Sequence, residues 1–172
     1  MKRLFLFVFA LVVMTSTCFA GMNAEYLRSM SIGGVQIGNS EEYVISIYGN
    51  PDSIIYDKDL DGTNQLGSTA YTYVYGDTFK ILFCGNNTIP MNVGEVISTA
   101  KNGIKTEAGL TVGDTESTIT KLYGTENMET YHDKNGVIKY VYTIGKGFGM
   151  GFTAYVRHGK VIKIELSSAW NV

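Results

Sequence analysis

Cysteine is nearly absent from this chain, with two in 172 residues, Cys18 and Cys84. Cys18 lies in a leader-like first segment, so Cys84 stands alone in the remainder and no intramolecular disulfide can form there. Stability must then come from an apolar core, and a chain of about 150 residues is long enough to bury one. The 12 Tyr and 8 Phe supply its bulk. Histidine is as scarce, with only His132 and His158, and neither sits in a recognisable nucleophile motif beside Cys84. Cys84 therefore reads as a small buried hydrophobe within the strand pattern Lys80-Ile81-Leu82-Phe83-Cys84. The chain also lacks a Gly-x-Ser-x-Gly elbow, a His-Glu-x-x-His helix and a phosphate-binding glycine loop. The glycine-rich run from Gly145 to Gly151 has no helical pattern after it, and reads as bulges or a bent hairpin. These absences predict a protein that is not an enzyme and has no resident cofactor.

The first twenty residues have the form of an export signal. Lys2 and Arg3 precede an uncharged apolar run from Leu4 to Met14, and Cys18-Phe19-Ala20 places small side chains at the −3 and −1 positions of a cleavage after Ala20. The run is too short to span a bilayer, which takes about 20 apolar residues. A lipoprotein signal is disfavoured, because Thr15-Ser16-Thr17 lacks the Leu-type residue expected three positions before Cys18. Removal of residues 1–20 leaves 12 basic against 16 acidic groups, a formal charge of −4. No Lys/Arg cluster follows Ala20, so nucleic acid is not an expected partner. A secreted or periplasmic destination without a membrane span is the expectation.

What is present is a repeat. At an offset of 75 positions, Gly34-Val35-Gln36-Ile37-Gly38-Asn39-Ser40-Glu41 aligns with Gly109-Leu110-Thr111-Val112-Gly113-Asp114-Thr115-Glu116. Val44, Ile47, Tyr48 and Gly49 fall on Ile119, Leu122, Tyr123 and Gly124, and Tyr56 falls on Tyr131. Each copy reads as a capped helix. Asn39 or Ser40, and Asp114 or Thr115, can accept from the free amides of a first turn, and Glu41, Glu42 and Glu116 suit the positive end of a helix dipole. Apolar residues at three- and four-residue spacing mark one buried face, and Gly49 and Gly124 end the helices, the first backed by Pro51. Beyond each helix the period becomes alternating. The strands predicted are 53–57, 69–75, 78–83 and 93–99 in the first copy, and 128–131, 137–144, 148–157 and 161–166 in the second. Gly76-Asp77, Asn135-Gly136 and His158-Gly159 supply the turns. The fold class expected is α+β, with two tandem repeats, each a short helix packed on a four-stranded antiparallel sheet. Residues 21–32 form a lead-in, 33–103 the first repeat and 104–172 the second.

With Ile37-Gly38-Asn39-Ser40 before Tyr48-Gly49, and Val112-Gly113-Asp114-Thr115 before Tyr123-Gly124, the chain resembles the β-lactamase inhibitor protein family. It also resembles the related SmpA/OmlA-type envelope domains. The resemblance covers about Gly33 to Trp170. It implies an exported, non-catalytic module that binds another protein on the open face of its sheets, possession of an inhibitory role being one version of this. The chain departs from the inhibitor family in having no disulfides within its repeats, and from the SmpA/OmlA type in offering no lipidated cysteine.

Two kinds of site are suggested by the residues themselves. Asp57, Asp59 and Asp61 alternate before Gly62, the opening half of a calcium loop, within an insertion of the first repeat. Ser68 occupies the position where the loop's bidentate Glu belongs, so the rival reading is a solvated hairpin connection. Aromatic rows are the second kind. Tyr71, Tyr73 and Tyr75, and likewise Tyr140 and Tyr142, share one side of a strand and could form a protein-binding platform. Against that, Ile138 and Ile144 share the side of Tyr140 and Tyr142 while Lys139 and Thr143 lie opposite, which favours a row packed under the helix. The exposed face would then carry Lys139, Thr143, Tyr155, Arg157, Lys163 and Glu165, with Ile162, Ile164 and Leu166 turned to the helix. Trp170 is either a plug over an open core edge or an interface anchor. Three functions fit: an exported protein-binding module, a cell-envelope structural or assembly protein, and a calcium-dependent adhesion module.

Overall fold

A computed structural model describes residues 22–61, 67–144 and 149–168. The elements run α1 (Ala24–Ser29), α2 (Glu41–Tyr48), β1 (Ser53–Asp61), β2 (Thr69–Tyr75), β3 (Phe79–Gly85), β4 (Asn92–Ser98), α3 (Glu116–Tyr123), β5 (Met128–His132), β6 (Ile138–Ile144), β7 (Met150–Arg157) and β8 (Lys160–Ser168). The α+β class holds, and so does the order of one helix then four strands, twice. The predicted pair of separate sheets does not. All eight strands form one antiparallel sheet in the order β1-β2-β3-β4-β8-β7-β6-β5. The join is β4 on β8, with Ile97 opposite Glu165 and Ser98 opposite Ile164. An unpaired edge presents a row of free amides and carbonyls, and joining the two inner edges satisfies both. Alternation along a strand reports which side chains share a face but not which edge its backbone meets, so the sequence pattern could not reveal the join.

The helix signals act much as their chemistry requires, with one exchange of roles. Ser40 is the cap of α2 and its hydroxyl accepts from Tyr43 N–H. Thr115 occupies the matching place before α3 but makes no side-chain cap bond, its hydroxyl meeting those of Ser117 and Thr118 instead. Asn39 and Asp114 tie the preceding turn, accepting from Gln36 N–H at 2.8 Å and Thr111 N–H at 3.0 Å. Gly49 and Gly124 end the helices at φ values of 74° and 72°, a region that costs an L side chain but not glycine. The tight turn at His158-Gly159 has both residues at positive φ, the form that fits strand twist. The lead-in also contains a helix the sequence pattern missed, α1, capped by Asn23 and anchored by buried Leu27.

The core lies on one side of the sheet. Phe79, Ile81 and Phe83 of β3, Val96 of β4, Ile164 and Leu166 of β8, Phe152, Ala154 and Val156 of β7 and Tyr142 of β6 pack there with Val44 of α2, Ile119 and Tyr123 of α3 and Leu27 of α1. In β8 the core residue expected at Ile162 is Val161, because a bulge shifts the register after Tyr155. The lead-ins to the two helices fasten to the sheet in the same way. Gly38 N–H donates to Val93 O at 2.8 Å and Val93 N–H to Asn39 O at 2.9 Å; Gly113 N–H donates to Val161 O at 2.8 Å and Val161 N–H to Asp114 O at 2.9 Å.

Candidate interaction surfaces

The tyrosine rows belong to the core side, which corrects the platform reading for Tyr71, Tyr73, Tyr75, Tyr140 and Tyr142. Tyr73 is 4 % exposed and Tyr142 fully buried, and the other three are half-buried. Their hydroxyls are committed to the helices above them. Tyr71 donates to Glu41 Oε2 at 2.7 Å, and Tyr73 donates to the other oxygen of the same carboxylate. Tyr75 donates to Gly49 O at 3.1 Å. In the second half Tyr140 donates to the Glu116 carboxylate and Tyr142 to Gly124 O at 2.8 Å. Burial and then the adjoining Glu41 carboxylate push the Tyr71 and Tyr73 phenols well up, and burial followed by Glu116 takes Tyr140 to about 12. A phenol so held stays protonated and donates, pinning the first turn of each helix to the sheet. Glu41 and Glu116 thus have a second task beside favouring the helix dipole, one that sequence spacing did not show.

Tyr155, Arg157 and Lys163 lie on the opposite side of the sheet, with Lys139, Thr143 and Glu165, as expected. Among the described residues no helix crosses this side. Tyr155 donates to Glu165 Oε2 at 3.0 Å, and Lys163 Nζ reaches the same oxygen at 2.5 Å. Lys163 Nζ stands 4.4 Å from the centre of the Tyr155 ring and Lys139 Nζ 5.4 Å. Across the β4–β8 join, Glu95 is half-buried, and burial and then Glu165 raise its carboxyl above the ordinary range, against the pull of Lys163. Glu95 is a member of this group that the sequence reading missed, because only the β4–β8 pairing brings it there.

A second surface is the edge strand β1. It pairs with β2 alone, and Ile54, Ile55 and Tyr56 are 41 %, 55 % and 67 % exposed. Seven large hydrophobic residues are exposed among the described residues, and these three are consecutive on one sheet edge. The outer edge of the other half, β5, carries Glu129, Thr130, Tyr131 and His132, all exposed. Soluble proteins guard such edges with charge. β5 starts its exposed run with Glu129; β1 is charged only from Asp57 onward, which leaves the segment Ile54 to Tyr56 unguarded.

The aspartate reading meets a different backbone from the one expected. β1 extends to Asp61, where it pairs with Thr69, so Asp57 to Asp61 continue as strand and do not turn into a loop after Asp57. Residues 62–66, which hold the remainder of the candidate calcium loop, are outside the described residues, as are 145–148 and Trp170. No group of three metal-ligating side chains occurs among the described residues. His132 and His158 are exposed and Cys84 is half-buried.

No family model matches the chain, and no curated protein matches it. Among solved structures, an extracellular protein containing a SCP domain from Bacillus anthracis str. Ames is similar at 10 % identity with a TM-score of 0.45, covering 76 % of this chain and 43 % of that one. This chain thus spans less than half the length of that protein. The fold and its surfaces define an α+β protein with one open antiparallel sheet, helices on one side and an apolar edge. Among the described residues no helix is long and apolar enough to cross a membrane.

Proposed function

We propose that the chain is an exported, non-catalytic protein-binding module whose two halves are tandem copies of one helix-plus-four-strand unit, and that its partner supplies an extended strand to β1. The observation that carries this is the run Ile54-Ile55-Tyr56, exposed on a strand whose other edge is already paired with β2. An added strand would satisfy the free backbone groups of that edge, and its alternate side chains would cover Ile54 and Tyr56 on one face and Ile55 on the other. Export rests on the leader-like residues 1–20, and the duplicate reading rests on the 75-residue offset together with the matched lead-in bonds. An inhibitor-like role, which the resemblance to the β-lactamase inhibitor family implies, is one form such binding could take.

The test is capture of partners from the native envelope or culture medium by the chain and by Ile55→Lys. Ile55 is more than half exposed, so the lysine leaves the fold and melting temperature unchanged while placing an ammonium in the docking edge. Loss of capture by Ile55→Lys, with capture retained by Tyr131→Lys on the opposite edge, is the expected result. Equal capture by Ile55→Lys and the unaltered chain would overturn the reading.

A further inference from the structure

Both halves contain the same bulge, and in the first half a cavity lies beside it. In the first half the pairing of β3 with β4 slips between Leu82 opposite Glu95 and Phe83 opposite Val93, which leaves Gly94 as the extra residue. In the second, β7 and β8 slip between Tyr155 opposite Lys163 and Val156 opposite Val161, and the extra residue is Ile162. Where the second half has a branched side chain, the first has none. The place a side chain would take at Gly94 is already filled by the Cys84 thiol, whose Sγ would lie 2.6 Å from a Cβ placed there, so the glycine makes room for that sulfur. The connections differ too. The second half turns at once through His158-Gly159, while the first runs from Asn86 to Met91 and brings Ile89 against Gly85 and into the cavity lining that includes Gly94. Beside this bulge lies a cavity of about 320 Å³, with Ala70, Leu82, Ile89 and Val93 in its lining together with Cys84 and Asn92.

We infer that this hollow is a binding site for a small, neutral, ring-sized apolar molecule with a hydrogen-bonding end. Its volume is at the lower limit of ligand cavities, which begin at about 300 Å³, so a single or fused ring fits and a drug-sized molecule does not. The lining surface is chiefly apolar, which rewards an apolar body, while polar residues at its margin, Asn86 and Asn92 among them, offer donors and acceptors. An anion would have to be desolvated against this lining, which turns it away. Burial raises the Cys84 thiol, consistent with surroundings that disfavour charge. This site is separate from the β1 edge and stands or falls independently of the partner proposed there.

Indole is a suitable probe, and benzoate a control of similar size that carries a negative charge. Affinity for so small a ligand should be on the order of 0.1–1 mM. On titration with indole, amide resonances of Ala70, Cys84 and Asn92 should shift saturably while those of Val156 and Val161 stay fixed, and the reaction of Cys84 with a thiol reagent should slow several-fold. Benzoate should do neither. Ile89→Trp, at a residue 41 % exposed and therefore tolerant of change, should abolish both effects by filling the hollow while the melting temperature is kept. No saturable shift, or equal shifts with benzoate, would overturn the inference.

Discussion

The two halves of the sheet are built alike and finished differently. Each hangs a two-turn helix over its strands by the same devices: a lead-in turn tied by Asn39 or Asp114, amide bonds to Val93 or Val161, and tyrosine hydroxyls reaching a first-turn glutamate. At the surface they diverge. The first half has an apolar outer edge and a cavity beside its bulge, the second a polar edge and a branched side chain at its bulge. The scaffolding common to both argues that the shared features serve folding, because both halves need them. Features found in one half alone are free of that requirement, and they are where binding should be sought.

If that division is right, equivalent core positions must cost alike when emptied. Phe79 and Phe152 hold matching places in β3 and β7 and are both buried on the helix side, and Phe→Ala at either should lower stability by about 3–5 kcal/mol through lost burial and the cavity left behind. Urea unfolding of both variants checks it. A large loss in one half with little in the other would show that the halves do not share one cooperative core.

The glutamate anchors sharpen the comparison. Glu41 receives hydroxyls from both Tyr71 and Tyr73, whereas Glu116 receives that of Tyr140. A hydrogen bond to a charged group is worth roughly 1.5–3 kcal/mol, less where water competes. Glu41→Ala should therefore cost about 2–3 kcal/mol and Glu116→Ala about 1–2 kcal/mol, the difference arising because Tyr73 is left buried without its acceptor. Equal losses would mean that the second phenol contributes nothing.

Much of this was legible in the residues, and what was not has physical reasons. The helices at 41–48 and 116–123 were marked by cap, stripe and terminal glycine, all local signals. The faces of β6 and β7 were readable because charge alternates with apolar residues, which correctly put Tyr155, Arg157 and Lys163 on the bare side. The tyrosine rows were ambiguous, since Tyr suits both core and interface; only the positions of Glu41 and Glu116 above them decide the matter. Helix α1 was missed because six residues give too short a stripe to register. The β4–β8 join, the matched bulges and the cavity depend on pairing between distant segments, and no local pattern encodes that. The hollow did leave one trace, Gly94 within an otherwise strand-like run, which is a known mark of a bulge.

The smallest expected effect concerns Glu95 and Lys163, which flank the bulges of the two halves at matching places and carry opposite charges. Lys163 is paired with Glu165, while Glu95 is half-buried near the same carboxylate. Burial and Glu165 make Glu95 hold its proton more tightly in the folded chain than in the unfolded one. Stability then falls as pH rises from the unfolded carboxyl value of about 4.3 toward the raised folded value, and the loss persists above it. Glu95→Gln removes a charge that the fold disfavours and keeps the shape. Its melting temperature should match that of the unaltered chain below about pH 4 and exceed it at pH 7, with the gap opening as Glu95 ionises. A gap of constant size across that range would show that the substitution acts through packing, and a lower melting temperature at pH 7 would show that Lys163, not burial, governs Glu95.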